Sequence, residues 1–300
     1  MQAFDLIHKA GWASTCAAFL LLAACGGGGS GAEATPNKFP TAAAKMTGEA
    51  VLNASTAFDT TGTVDVDGSI ASRFWDYGDG QTGTVDNHTY RATGTYTVTL
   101  SVTDDKGATA STSLTVTVAK CSTAGTQTAA LSPHKTLCVQ TTRGEMVFEV
   151  YPTQAPITAA NFLKYVDDGF YSGTIFHRVI AGFVAQGGGY LPGLTAKMAL
   201  YAPIALESSN GLKNWQYTLA MARTNVANSA TSQFFVNLVA NPNLDYNAAN
   251  ASPNGYAVFG QVISGTAVVD AIGTVATASA GGLTDVPVQD VVIRSMVRMP

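Results

Sequence analysis

The sequence is most informative at residues 171–188, YSGTIFHRVIAGFVAQGG. This stretch holds one arginine, Arg178, inside a run that is otherwise mostly apolar and aromatic. The pattern predicts two short strands, residues 174–179 and 183–186, joined by a turn at residues 181–182. A guanidinium kept beside aromatic rings loses hydration, which costs free energy unless the arrangement serves a purpose. This hairpin is therefore the first candidate for a functional site.

The alternation of side chains along a strand predicts which residues of the hairpin share a face. Successive residues point to opposite faces, so Phe176 and Arg178 are expected on one face and His177 on the other. On the second strand, Val184 and Gln186 are expected together. The hairpin would then place a cation and an amide next to aromatic and aliphatic groups.

The length and composition indicate an ordinary globular protein. A chain of 300 residues predicts two domains plus tails, and a hydrophobic content of 46% allows a sizeable core once the tails are excluded. The formal net charge is −4, and the sequence contains no run of lysine and arginine. Nucleic acid is therefore not an expected partner.

The first residues have the pattern of a secretion signal. Lys9 precedes an apolar stretch, residues 12–22, that is too short to span a bilayer comfortably. The stretch runs into LAAC at residues 22–25, which resembles the lipobox of bacterial lipoprotein precursors. The resemblance implies a signal peptide over residues 1–24 and a diacylglycerol group on the thiol of Cys25.

Residues 25–47 are predicted to be the lipidated cysteine and a flexible tether, because they are small, polar and without periodicity. Gly26, in place of an aspartate, resembles the signal for sorting to the outer membrane rather than for retention in the inner membrane. These features predict a lipid-anchored protein of the bacterial cell envelope, at the periplasmic face of the outer membrane. The alternative is an ordinary signal peptide in which Cys25 occurs by chance.

Short alternating strands predict a β-sandwich domain over residues 48–118. Residues 96–102 and 113–118 place apolar side chains on one face and threonines or serines on the other. Turns rich in glycine and aspartate lie between the strands. The length and spacing fit a sandwich of the immunoglobulin type.

The motif WDYGDG at residues 75–80 resembles the polycystic kidney disease (PKD) domain. The resemblance implies that Trp75 packs in the core and that Asp76 and Asp79 brace the turn that follows. Residues 65–68, DVDG, are interpreted as a turn, because they lack the further oxygen ligands of a calcium loop.

Residues 119–136 are predicted to be a linker, with Cys121 inside it and Cys138 just beyond it. Once Cys25 is lipidated and the signal peptide is removed, these two are the remaining thiols. An oxidising periplasm favours a disulfide between them. Metal binding or redox chemistry would need more ligands or a Cys-x-x-Cys spacing, and the sequence offers neither.

The C-terminal half, residues 137–300, resembles the cyclophilin family of peptidyl-prolyl cis-trans isomerases, and its bacterial periplasmic members in particular. The family signature begins at Tyr171, continues through Phe176-His177-Arg178 and ends at Gln186-Gly187-Gly188 without a gap. The resemblance implies a barrel of eight antiparallel strands capped by two helices. The predicted fold class is therefore dominated by β-structure, with an immunoglobulin-like PKD sandwich followed by a cyclophilin barrel.

Local signals place the two helices of this half. For the first, Thr158 is the expected N-cap and Gly169 the expected end. The second is expected at residues 267–272, shortly before the last strand.

The resemblance also assigns the site. Arg178 is the expected catalytic guanidinium, because a cation that bonds the lone pair of the prolyl nitrogen favours the twisted imide over the planar one. The residues expected to form the proline pocket and to orient the substrate backbone are Phe183, Val184, Gln186, Ala222, Arg223, Gln233, Phe235, Leu244 and Tyr256. Such a mechanism needs no cofactor and no metal ion. The alternative for Arg178 is a structural ion pair, and His177 is interpreted as a packing residue.

The sequence thus predicts a peptidyl-prolyl isomerase that assists the folding of exported proteins, with proline-containing segments as its partners. The rival hypothesis is an envelope adaptor, in which the sandwich binds a glycan or a protein and the barrel only captures proline-containing segments. The Thr, Asn and Ser side chains expected on the surface of the sandwich support that rival.

Overall fold

The computed structural model describes residues 35–250 and 254–300, and Asn37–Pro300 form one compact unit. The predicted signal peptide, the lipidation site Cys25 and the first part of the predicted tether lie outside the described residues. Among the residues that are described, no helix is both long enough and apolar enough to cross a membrane.

The N-terminal part of the described chain is a sandwich of two small sheets. Its strands are β1 (Lys45–Thr47), β2 (Ala50–Val51), β3 (Ser55–Asp59), β4 (Ile70–Asp76), β5 (Thr82–Gly83), β6 (Asn87–Thr89), β7 (Gly94–Asp104) and β8 (Thr109–Ala119). One sheet has the order β1-β3-β6 and the other the order β2-β8-β7-β4-β5. Trp75 is fully buried between them. Its ring stacks on Phe58 at 4.9 Å between centroids, and its Nε1 donates to Asp86 at 2.9 Å.

The aspartates of the WDYGDG motif hold the turn after β4, as predicted. Asp76 Oδ1 accepts the N–H of Gly78 at 2.9 Å, and Asp79 Oδ1 accepts the N–H of Gln81 at 3.1 Å. Gly78 has a φ of +78°, and a Cβ there would lie 2.4 Å from the carbonyl oxygen of Thr97. The turn therefore requires glycine at this position.

The segment predicted as a turn at residues 65–68 also has turn contacts. Asp65 Oδ1 accepts the N–H of Asp67 at 3.4 Å. Lys106 donates from Nζ to the carbonyl oxygen of Asp67 at 2.6 Å and lies 3.2 Å from its carboxylate. Lys106 therefore supplies a positive charge beside the carboxylate of Asp67 in this turn.

The sandwich and its links begin and end differently from the sequence-based ranges. Pairing starts at Thr41, which bridges Val64, and β1 lies inside the range predicted as tether, so the tether prediction to residue 47 is too long. The predicted linker contains helix α1 (Thr123–Leu131), whose N-cap Ser122 accepts the N–H of Gly125 at 3.0 Å. Neither segment shows apolar periodicity in its sequence, because its structure depends on contacts with other segments of the protein rather than on an amphipathic face of its own.

The C-terminal half of the chain is a closed barrel. Its strands are β9 (Lys135–Thr141), β10 (Gly144–Val150), β11 (Phe176–Val179), β12 (Val184–Gly187), β13 (Tyr190–Leu191), β14 (Thr195–Ala196), β15 (Thr218–Met221), β16 (Phe234–Asn237), β17 (Val258–Ser264), β18 (Thr277–Ala280), β19 (Leu283–Pro287) and β20 (Ile293–Arg298). Eight of them form one sheet in the order β11-β12-β16-β15-β17-β10-β9-β20. An antiparallel bridge between Ile175 and Val292 joins the two edges of that sheet.

Two helices, α2 (Pro156–Asp167) and α3 (Thr266–Gly273), pack on the barrel. Phe162 of α2 is fully buried, and its ring lies 4.7 Å from Phe259 and 5.3 Å from Phe234. The predicted fold class, a β-sandwich followed by an eight-stranded barrel with two helices, is confirmed.

The start of α2 corrects the expectation that Thr158 is its N-cap. The helix begins at Pro156, a residue suited to the first helical position because it lacks an N–H. The carboxylate of Glu207 accepts the N–H of Ile157 at 3.1 Å and of Thr158 at 2.7 Å. The cap comes from a loop 49 residues further along the chain, so the local sequence could not reveal it.

A disulfide and two hydrogen bonds are among the contacts that connect the sandwich, α1 and the barrel. The structure contains the Cys121–Cys138 disulfide, which ties the chain just before α1 to β9. The N–H of Thr123 donates to Glu49 of the sandwich at 2.7 Å. Lys120 donates from Nζ to the carbonyl oxygen of Arg298, in the last strand, at 3.0 Å.

Candidate active site

A β-bulge at His177 sets the direction of the Arg178 side chain. Phe176 pairs with Gly187 and Arg178 pairs with Gln186, so β11 contains one more residue than β12 over this step. Phe176 is 1% exposed, belongs to the barrel core and contacts Phe234, whereas Arg178 lines a cavity on the outer face. The prediction that Phe176 and Arg178 share a face is therefore wrong, because a bulge re-aims the residue that follows it.

The register of the barrel sheet aligns the candidate site residues. Arg178 pairs with Gln186, Gln186 with Phe235, and Phe235 with Ala220 on four neighbouring strands. Direct cross-strand partners lie on the same face of a sheet. A cation, an amide and an aromatic ring thus stand side by side on the outside of the barrel.

These residues surround a cavity of about 150 Å³. Nine of the ten residues predicted as catalytic or substrate-binding line it: Arg178, Phe183, Val184, Gln186, Ala222, Arg223, Phe235, Leu244 and Tyr256. Pockets for drug-sized ligands measure roughly 300–1,000 Å³. A cavity of this size suits one small ring rather than a large ligand.

The tenth predicted residue, Gln233, lies beside this cavity rather than in its lining. Its Oε1 accepts a hydrogen bond from Nε2 of Gln186 at 2.8 Å. It also lines a neighbouring cavity of about 290 Å³, which shares Gln186, Ala222 and Arg223 with the first. Thr224 and two further hydroxyl residues complete that second cavity, and the sequence analysis did not include them.

The lining of the first cavity is apolar and rigid on one side. Phe235 is 4% exposed and Val184 is 3% exposed. The Phe235 ring meets the edge of Tyr256 at 5.5 Å. The N–H of Tyr256 donates to the carbonyl oxygen of Leu244 at 2.9 Å, which fixes the short turn that carries Leu244. An aliphatic or proline ring would find a dry surface here.

The two arginines of the cavity differ in their partners. Arg223 lies over the ring of Tyr256 at 4.7 Å and donates to the carbonyl oxygens of Gly255 at 3.0 Å and Thr224 at 2.9 Å. Arg178 donates no side-chain hydrogen bond to any residue within the described ranges. Its guanidinium therefore keeps its N–H donors for a ligand, whereas that of Arg223 is already engaged.

Asp285 is a neighbour of the site that the sequence analysis missed. Its Oδ2 lies 3.9 Å from Nε of Arg178. It belongs to β19, more than a hundred residues after Arg178 in the chain, and no local pattern links the two. A sequence signal would have required knowledge of how β19 packs against β11.

His177 is a buried neighbour of Arg178 but not part of the cavity lining. It is 3% exposed, its ring lies 4.6 Å from Tyr190, and its Nδ1 has no hydrogen-bond partner within the described part of the chain. The pKa of His177 is lowered to about 4: burial has the largest effect, a backbone hydrogen bond at Ile175 partly opposes it, and the charge of Arg178 adds a smaller lowering. The imidazole is therefore neutral near pH 7.

One group of potential metal ligands occurs in residues 35–250 and 254–300. It comprises Cys121, Cys138 and Glu145. The two sulfur atoms are bonded to each other, so neither is a thiolate that could bind a metal ion.

Comparisons with known proteins agree with this geometry. Residues 136–298 match the model of the family "Cyclophilin type peptidyl-prolyl cis-trans isomerase/CLD", and residues 37–119 match that of the PKD domain. A peptidyl-prolyl cis-trans isomerase of Streptomyces antibioticus is 51% identical over 160 residues, which are 53% of this chain and 96% of that protein. Peptidyl-prolyl cis-trans isomerase B of Escherichia coli is 49% identical over 156 residues, or 52% of this chain and 94% of that protein.

A solved structure of a cyclophilin-type isomerase from Cryptosporidium parvum is also similar, with 27% identity and a TM-score of 0.48. The alignment covers 56% of this chain and 98% of the Cryptosporidium parvum chain. The family match spans more than half of the chain and contains every residue of the cavity. The chain therefore belongs to the family of cyclophilin-type peptidyl-prolyl cis-trans isomerases, with a PKD domain ahead of the isomerase domain.

Proposed function

We propose that Arg178 is the catalytic group of this isomerase and acts on X–Pro bonds held in the 150 Å³ cavity. The barrier to rotation, about 18–20 kcal/mol, comes from delocalisation of the nitrogen lone pair into the carbonyl. A guanidinium that donates to this lone pair finds an acceptor only when the bond is twisted. Its interaction is therefore stronger in the transition state than in the ground state, which is what accelerates a reaction.

The observation that supports this proposal is the pairing of free donors with a dry surface. The Arg178 side chain has no hydrogen-bonded partner among the described residues, and it stands in one row with Gln186 and Phe235. In the proposal, the proline ring packs on Phe235 and Leu244. The Gln186–Gln233 amide pair then orients the peptide backbone through its remaining donors and acceptors.

A protease-coupled assay on a short Ala-Pro peptide tests the proposal. Removing one donor aimed at a transition state lowers kcat about 10²–10³-fold, so we expect a loss of that size for Arg178→Ala. Arg143→Ala serves as the matched control, because it removes an exposed arginine outside the cavity. An Arg178→Ala enzyme as active as Arg143→Ala would contradict the proposal.

We propose further that the protein works in the bacterial cell envelope on exported proteins, anchored through Cys25 at the periplasmic face of the outer membrane. Two features support this: the LAAC motif at residues 22–25 and the Cys121–Cys138 disulfide, since disulfides are typical of oxidising compartments. Labelling of cells with a palmitate analogue, followed by membrane fractionation, provides the test. The wild type should carry label in the outer membrane, and Cys25→Ser should carry none; equal labelling would contradict the anchor.

A second candidate function, binding of a glycan or a protein by the sandwich, is favoured by one observation. Strands β7 and β8 place exposed hydroxyl side chains opposite each other, as in Thr95 with Thr117 and Thr97 with Thr115. Such a face offers many hydrogen-bond donors and acceptors without charge. A pull-down from envelope extract with the full chain, compared with Thr97→Lys/Thr115→Lys, tests it. Partners lost only from the double variant would support this role, and identical captures would contradict it.

A further inference from the structure

The hairpin formed by β18 and β19 brings a carboxylate to the catalytic arginine. Asp285 of β19 places its Oδ2 3.9 Å from Nε of Arg178, and the two side chains are 39% and 38% exposed. Within residues 35–250 and 254–300, no other carboxylate lies within ion-pair distance of this guanidinium. The hairpin is therefore the element that supplies the counter-charge of the site.

The backbone at Asp285 is unusual for a residue with a side chain. Its φ is +59°, in the left-handed region, which non-glycine residues rarely adopt. Aspartate tolerates this conformation better than most residues because its short polar side chain can form local hydrogen bonds, and Oδ2 accepts one here from Thr284 Oγ1 at 3.0 Å. The next residue, Val286, is 5% exposed and fixes the strand on the barrel.

The position of this carboxylate is suited to orienting the guanidinium. An arginine carries about 2 kcal/mol of rotamer entropy, and Arg178 has no other partner within the described ranges that would restrict it. An ion pair on the Nε side limits its rotamers and leaves both Nη groups available to the cavity. Because the pair is half exposed, it contributes little to the free energy of unfolding. Its effect is expected in catalysis, where small errors of placement are costly.

We propose that Asp285 is a positioning residue for Arg178, holding the guanidinium in the orientation that meets the prolyl nitrogen. This inference rests on the proposed role of Arg178. Asp285 itself does not line the 150 Å³ cavity.

The variant Asp285→Asn separates charge from backbone geometry, because asparagine also tolerates the left-handed region. We expect kcat for an Ala-Pro peptide to fall about three- to tenfold, with KM changed less than about twofold, since orientation rather than binding is lost. The control Asp290→Asn removes the same charge from an exposed position outside the pair and should leave both constants unchanged. A wild-type kcat for Asp285→Asn would overturn the proposal.

NMR of the Arg178 Nε–Hε group gives a readout that does not depend on activity. Its resonance should shift and its order should fall in Asp285→Asn but not in Asp290→Asn; an unchanged resonance would also overturn the proposal. If Arg178→Ala kept full activity, the proposed catalytic role of Arg178 would fail. The Nε–Hε resonance of Arg178 in the wild type and in Asp285→Asn would still show whether the ion pair orders this side chain. Asp285→Gly, which removes the backbone strain, should lose as much kcat as Asp285→Asn, and a wild-type kcat in this variant would overturn the proposal too.

Discussion

One extra residue in β11 determines what the side chain of Arg178 faces. His177 occupies the bulge, so Phe176 enters the core while Arg178 points to the outer cavity. This arrangement buries the imidazole of His177, whose Nδ1 has no hydrogen-bond partner among the described residues. Its neutral state and its contact with Tyr190 indicate packing rather than proton transfer.

The lowered pKa of His177 predicts a loss of stability in acid. In the unfolded chain His177 titrates near its ordinary pKa of 6.5, but in the folded protein only near about 4. The contribution of this pKa shift to the free energy of unfolding is on the order of 3 kcal/mol. It is fully present above pH 6.5 and is lost as the pH falls to 4. Urea unfolding of the wild type and of His177→Phe at pH 7.5 and pH 4 measures it.

His177→Phe keeps an aromatic ring beside Tyr190 but removes the titrating group. We expect the wild type to lose about 3 kcal/mol more than this variant between the two pH values. Equal losses in the two proteins would show that His177 is not buried in its neutral form.

At the scale of secondary-structure elements, helix α2 depends on a distant loop for its N-terminus. The Glu207 carboxylate accepts two N–H groups of the first turn and also carries the negative charge that a helix N-terminus favours. Glu207→Ala should lower the free energy of unfolding by about 1–2 kcal/mol, and Glu207→Gln, which keeps an acceptor, by less. Chemical denaturation measures both values.

Hydrogen exchange locates the effect of the Glu207 variants. The amides of Ile157 and Thr158 should exchange faster in Glu207→Ala. Amides of the barrel core should change only as much as the global free energy of unfolding does. Unchanged exchange at these two amides would contradict the capping role.

Elements with a local signal were predictable, and those held by distant contacts were not. The hairpin around Arg178 has turn and strand signals of its own, and the strands were expected close to where they lie. Helix α1 and the pairing at Thr41 depend on the disulfide, on a cap and on neighbouring strands. The residues of the cavity could be predicted from the resemblance to the family. Asp285 could not, because it lies in a separate hairpin whose sequence contains no motif linked to Arg178.

At the scale of the whole molecule, the Cys121–Cys138 disulfide joins the chain leaving the sandwich to β9. The bond spans a sequence separation of 17 residues, and closing a loop of that size stabilises a protein by about 3 kcal/mol in the chain-entropy model. The double variant Cys121→Ser/Cys138→Ser should therefore unfold at a lower temperature. Its catalytic constants for a short peptide should equal those of the wild type, because neither cysteine lines the cavity.

Calorimetry and hydrogen exchange on the double variant test this expectation. Exchange should increase first in helix α1, which lies within the loop that the disulfide closes. An unchanged melting temperature would contradict the stabilising role, and a loss of activity without a loss of folded protein would show that the bond also shapes the active site.

Catalysis by Arg178 can be separated from peptide binding by NMR exchange between the cis and trans forms of an Ala-Pro peptide at saturating enzyme, measured together with the dissociation constant of the peptide. For Arg178→Ala and Arg178→Lys we expect an exchange rate lower by about 10²-fold or more, with the dissociation constant changed less than about threefold, because Arg178 acts on the transition state. An exchange rate that stays at the wild-type value, or that falls only in proportion to weaker peptide binding, would contradict it.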